Sequence, residues 1–143
     1  MDIFSRWLHI AAAAVAVGGL VYARLVLAPA LQVLGEEDRA KFLGKLSASL
    51  KPLAVTVIIA LVASGIYNLL NVLQGGGVGA SYHMVFAVKF LLAVHVFGML
   101  FLAAMPPSGD SARDAKRPRL ILGAAISGLI VLALGAYLRT LHG

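Results

Sequence analysis

Residues 82–105 read YHMVFAVKFLLAVHVFGMLFLAAM, from Tyr82 to Met105. The stretch has no acidic residue, and its one lysine is Lys89. At about 1.5 Å per helical residue it reaches roughly 36 Å, enough to cross the roughly 30 Å hydrocarbon core of a bilayer. Its apolar residues run all round the helix, as in a membrane span rather than an amphipathic surface helix. Three more stretches qualify: about Ile3 to Leu34, Pro52 to Leu73 and Leu120 to Leu141.

Composition agrees. The chain of 143 residues is 61% hydrophobic and 13% charged, with a mean hydropathy of +0.94. A soluble domain carries about 25% charge. A cytosolic enzyme, a nucleic-acid binder and a disordered chain are therefore excluded as readings. The net charge of +6 comes largely from two connections between apolar runs. One holds Arg39, Lys41, Lys45 and Lys51; the other holds Arg113, Lys116, Arg117 and Arg119. The connection between them in sequence holds neither Lys nor Arg. That bias predicts both basic connections in the cytoplasm and both termini outside, which is the periplasm for a bacterial inner membrane. Arg6 and Arg139 are the minority on the outer side. There is no cysteine, which excludes disulfides, zinc–thiolate sites, iron–sulfur clusters and thiol catalysis. The first span, with Arg6 offset by Asp2 and an apolar run continuing to Pro29, does not read as a cleavable signal peptide.

The breaks between spans are clear. Gly35 through Asp38 ends the first and caps a short amphipathic helix carrying Phe42, Leu43 and Leu46. Pro52 suits the first turn of the second span. Gly75 through Gly77 precedes the third, with Ser81 as its N-cap, and Pro106-Pro107 stops it. Ser108 to Arg119 reads as a polar loop. Short connections make sequential helices antiparallel neighbours, so the expected fold is all-α, an integral membrane up-down four-helix bundle forming one domain over residues 1–143. Gly18, Gly19, Ala60, Ser64, Ala124 and Gly128 suit close helix packing. Trp7, Tyr22 and Tyr137 suit interface anchors.

Polar side chains are costly in hydrocarbon, so those within the spans carry the functional information. None of the six acidic residues lies in a span. This argues against a di-iron carboxylate site, a carboxylate proton relay and a sodium-coupled transporter. A conventional hydrolase also finds no support, because Ser127 lacks a His–carboxylate pair to activate it. What remains is His9, Tyr67, Asn68, Asn71, His83, Lys89, His95, Tyr137, Arg139 and His142. Counted inward along each helix, His9 lies about 10 Å deep, Asn68 about 9 Å, Lys89 about 12 Å, His83 about 3 Å and His95 about 21 Å. His9, Asn68 and Lys89 thus share a level in the outer half. Asn71, His83, Tyr137 and His142 sit just above, and the expectation is a polar pocket opening outward. Imidazole ligates both haem iron and copper, and bundles with inward-facing histidines host cofactors. Lys89 at the His9 level suits a sixth ligand, a propionate partner or a catalytic desolvated amine.

Several short motifs resemble known families. Trp7-Leu8-His9-Ile10-Ala11, then Gly18-Gly19-Leu20 and Leu27-Ala28-Pro29-Ala30-Leu31, resemble the first helix of copper-resistance protein D-type membrane domains. Lys41-Phe42 through Ala63-Ser64-Gly65-Ile66-Tyr67 resembles the second helix, and Lys89-Phe90-Leu91-Leu92 the third. The layout also resembles the four-helix membrane protoporphyrinogen oxidase of bacteria. There a first-helix His is followed by Gly-Leu-x-Tyr-x-x-Arg-Leu; here Gly19-Leu20-Val21-Tyr22-Ala23-Arg24-Leu25 is similar, with the arginine one residue early. The resemblance implies that His9 and Lys89 are the functional pair, tied to haem and activity in the oxidase and to copper movement in the copper-resistance proteins.

Three readings follow. The first is a membrane protein binding haem b, with an electron-transfer or porphyrin redox role. His9 is its axial ligand, His95, His83 or Lys89 stands opposite, and Asn68 and Arg24 are further cofactor contacts. The second is a copper-binding or copper-transport protein using His9, His83 and His95 as metal ligands, with Met84 or His142 near the outer face. The third is a structural membrane subunit without cofactor. The first is favoured over the second because copper(I) carriers prefer thiolate and thioether ligands. This chain has no Cys, and its Met residues, Met1, Met84, Met99 and Met105, are scattered. The partners implied are the lipid bilayer, a redox partner or porphyrin, and a second copy of the chain; nucleic acid is not among them.

Overall fold

The computed structural model describes residues 3–75, 79–106, 108 and 111–140, without the side chains of residues 111–113, 115, 139 and 140. Four helices are long and apolar enough to cross a membrane. Helix α1 is Ile3–Tyr22 and continues through a π-turn at Ala23–Leu27, a helical turn at Ala28–Ala30 and a 3-10 turn at Leu31–Val33. Helix α2 is Glu36–Gln74, α3 is Ala80–Ala104 and α4 is Ser111–Thr140. Among the described residues there is no strand. The most extensive packing joins α3 to α4 and α1 to α2, followed by α1 with α4 and α2 with α3. Each helix therefore sits beside its neighbours in sequence, with α4 closing the ring on α1, as in an up-down bundle.

Two helices are longer than the sequence suggests. Residues 36–51 do not form a separate helix before Pro52; they belong to one helix of 39 residues, about 58 Å long, with Pro52 inside it. The extension is amphipathic, so packing holds it in line with the span. Arg39, Leu43, Leu46, Ser47 and Leu50 recur on its inward face, whereas Phe42 is exposed. Pro52 has no N–H to donate back along the helix. The Thr56 hydroxyl donates to the Pro52 carbonyl at 2.9 Å. Likewise α4 starts at Ser111, inside the expected polar loop, and runs through Pro118.

The interior is made of small and medium side chains. Leu20, Val96, Met99, Ala124 and Ala125 form one cluster between α1, α3 and α4. Ala12, Ala16, Val57 and Leu61 form another between α1 and α2. The outside is more apolar in bulk than the inside: Trp7, Ile10, Ile59, Phe90, Leu91 and Leu129 are all more than half exposed. Among the described glycines the tightest approach is at Gly128, where an added Cβ would lie 2.8 Å from Val17 Cγ2. Glycine there lets α4 close on α1. Gly18 and Gly19 face open space instead.

Candidate functional site

A two-rung polar ladder joins α1 to α2. The Ser5 hydroxyl donates to Asn68 Oδ1 at 3.1 Å. One turn further in, His9 Nδ1 lies 2.9 Å from Ser64 Oγ. Each helix contributes residues four apart, which lie on one face. Ser5 and Ser64 are both buried. Ser64 Oγ also lies 2.5 Å from the Ala60 carbonyl one turn back. A carbonyl only accepts, so the single Ser64 proton goes to Ala60. Ser64 Oγ must then accept from His9, which fixes the Nδ1–H tautomer and leaves Nε2 with its lone pair. Interhelical hydrogen bonds of this kind are worth about 0.6 kcal/mol on average in membrane bundles. The ladder is therefore weak as a clamp and strong as an orienting device for the imidazole.

Glycines on neighbouring helices make the seats for the two polar side chains. At Gly65 of α2 an added Cβ would lie 3.4 Å from His9 Cε1. At Gly135 of α4 it would lie 3.3 Å from Lys89 Nζ and 3.7 Å from Lys89 Cε. The Lys89 stem thus crosses from α3 onto the backbone of α4. It is half-buried. His9 of α1 thus meets α2 at Ser64 and Gly65, and Lys89 of α3 meets α4 at Gly135.

The other candidates are placed elsewhere. His83 and His95 are exposed. They stand six residues either side of Lys89, each turned about 120° around the helix from it. His83 makes an edge contact with Tyr82, whose ring stacks near Phe86. Asn68 belongs to the ladder, whereas Asn71 Nδ2 donates to the Tyr67 carbonyl of its own helix at 3.0 Å. His142 lies outside the described residues, as does the Arg139 side chain. Among the described residues no three His, Cys, Asp or Glu side chains gather as a metal site.

Arg24 lies at the other end of the bundle, and so does a cavity of about 630 Å³. On α1 the lining residues keep a four-residue spacing: Ala16, Leu20, Arg24 and Ala28 in one row, Gly19, Ala23, Leu27 and Leu31 in the next. A regular helix would drift by about 40° at each such step. The wide turn at Ala23–Leu27 takes up part of that drift for the residues that follow it, Ala28 and Leu31.

Arg39 and Arg117 also line this cavity. Arg117 is engaged: its Nη2 donates to the carbonyls of Leu102 at 2.9 Å, Ala103 at 3.0 Å, and Met105. It caps the C-terminal end of α3, where carbonyls lack helical partners. Its neighbour Asp114 accepts from the Ser108 backbone N–H at 3.1 Å and the Ser108 hydroxyl at 3.0 Å. Arg24 Nε and Arg39 Nε, by contrast, are buried with no hydrogen-bond partner among the described residues. A buried donor left unpaired costs about 1–3 kcal/mol.

Ser5, Ser64, Gly65 and Gly135 are the residues that sequence reasoning did not assign to the site. A signal existed for the serines: Ser5 with His9, and Ser64 with Asn68, repeat a polar pair at i and i+4 on two successive spans. Comparison with known proteins brought no match among family models, curated proteins or solved structures.

Proposed function

We propose that the chain is a multi-pass protein of the bacterial inner membrane, with both termini in the periplasm, that binds haem b at His9 and serves electron transfer or porphyrin redox chemistry. The observation that carries the reading is the bond from His9 Nδ1–H to Ser64 Oγ, which leaves Nε2 free to ligate iron. A ligating histidine is ordinarily held by just such a bond at its other nitrogen. Lys89 supplies a cation for a propionate carboxylate or a second nitrogen for the metal. Asn68, held to Ser5, closes the ladder toward the periplasm. When bound, haem supplies one-electron redox chemistry; the residues hold and orient it. Insertion in the membrane is supported by the apolar outer surface, where Leu91 is 70% exposed and Ile10 66%. The short motifs around His9 and Lys89 resemble the copper-resistance D-type domain, a likeness that implies the two residues act as a pair. For copper, the described residues leave His9 without a second histidine beside it, so the haem reading is favoured.

The test is haem titration of detergent-purified protein. The expected result is a saturating Soret band at about one haem per chain, abolished by His9→Ala and unaffected by His95→Ala. A band of equal size in folded His9→Ala protein overturns the proposal. Lower thermal stability of His9→Ala without any haem binding by the native chain would assign the ladder to structure alone.

A further inference from the structure

The cavity at the Arg24 end is chemically unlike the His9 site. Its wall is aliphatic, built from Leu, Val, Ala, Ile, Gly, Pro and Met side chains, and none of its residues is aromatic or histidine. Such a wall offers no ring to stack on a macrocycle and no imidazole for a metal. It offers a greasy channel for a saturated chain. The polar residues of the wall are Arg24, Gln32, Arg39, Ser47, Asp114 and Arg117. Arg117 and Asp114 are committed to helix capping. Arg24 and Arg39 are not, and the Nε of each is buried without a partner. Guanidinium groups pair with phosphate oxygens through two donors at once. On the membrane reading made above, on which this inference rests, this end of the bundle faces the cytoplasmic leaflet, where anionic lipid headgroups and basic side chains meet.

We propose that this cavity is a binding site for one anionic phospholipid, its phosphate held between Arg24 and Arg39 and one acyl chain lying along the aliphatic wall. A bound lipid supplies the missing acceptors for the two buried donors and fills about 630 Å³ between α1, α2, α3 and α4. The site is separate from His9, so it does not depend on which cofactor His9 takes.

The experiment is native mass spectrometry of the full chain released from detergent after incubation with phosphatidylglycerol, phosphatidylcholine or inorganic phosphate. The expected result is one retained phosphatidylglycerol per chain, with phosphatidylcholine at least tenfold weaker and inorganic phosphate not retained. Arg24→Gln with Arg39→Gln should remove that retention, and Lys45→Gln, an exposed cation on the same helix as Arg39, should not. Gly19→Leu gives a second line of evidence. Gly19 lines the cavity and its added Cβ would meet nothing within 4 Å, so the leucine should exclude the acyl chain while sparing both arginines. Equal retention of the two lipids, retention that survives both the double arginine variant and Gly19→Leu, or retention of inorganic phosphate alone overturns the proposal. So does loss of bound haem in Gly19→Leu, which would place the macrocycle in this cavity. Recovery of the chain in the soluble fraction overturns the membrane reading together with the proposal. Recovery in the membrane without preference for phosphatidylglycerol overturns the proposal alone.

Discussion

Gly128→Ala should loosen the contact between α1 and α4. The added Cβ would meet Val17 Cγ2 at 2.8 Å, Cγ1 at 3.3 Å and Cβ at 3.5 Å. Carbon atoms pack best at about 3.5–4.0 Å, so the first contact is roughly 1 Å too short. Val17 has no easy escape. It is buried, with 6% of its surface exposed, and a β-branched side chain in a helix has one strongly preferred rotamer. The backbones must separate, and overpacking of this kind costs about 1–3 kcal/mol. Alanine also raises helix propensity by about 1 kcal/mol relative to glycine, which masks part of that cost. Gly18→Ala is the matched control, because it makes the same exchange with nothing within 4 Å. The difference between the two variants isolates the clash. Reversible unfolding by sodium dodecyl sulfate titration, followed by circular dichroism, should place Gly128→Ala about 1–3 kcal/mol below Gly18→Ala. Adding Val17→Ala to Gly128→Ala should recover at least half of that gap. Equal stability of the two glycine variants, or no recovery in the double variant, would refute the close approach of α1 and α4 at this level.

Ser64→Ala should free the His9 ring and weaken haem affinity by about 10–100-fold, read by haem titration, while Ser64→Thr keeps most of it. Arg117→Ala removes the donor shared by the Leu102, Ala103 and Met105 carbonyls. It should cost about 1.5–3 kcal/mol by detergent unfolding, and Arg117→Lys should recover only part. The cysteine-free chain allows a direct topology test with Gln74→Cys and Lys45→Cys, both at exposed positions. An impermeant maleimide applied to intact spheroplasts should label the first at once and the second only after the membrane is opened; the opposite pattern would invert the assigned orientation.

The four helices and their ring order were legible because length and hydropathy alone specify spans, and short connections make neighbours antiparallel. Helix ends were less so. Pro52 reads as a helix start and Ser108 to Arg119 as a loop, yet inward packing of Arg39, Leu43, Leu46, Ser47 and Leu50 carries α2 through Pro52, and α4 begins at Ser111. The level expected for His9, Asn68 and Lys89 came from counting residues; in the structure Asn68 occupies the rung beside His9, and Lys89 lies against Gly135 of α4. Which residues face inward was not visible. Apolar helices carry no stripe to fix their rotation, so His83 and His95 counted as candidates beside Lys89 although they point elsewhere. The seats at Gly65 and Gly135 were hidden for a related reason. A glycine marks a close approach only once its neighbouring helix is known.

The most direct test is the absorption spectrum of protein purified from its own membranes, oxidised and then reduced with dithionite, beside His9→Ala purified in the same way. A Soret band with resolved bands on reduction, at one haem per chain, present in the native protein and absent from folded His9→Ala, is the result that the His9–Ser64 geometry predicts. A haem spectrum that persists in His9→Ala, or a colourless native protein from cells supplied with haem, would contradict it.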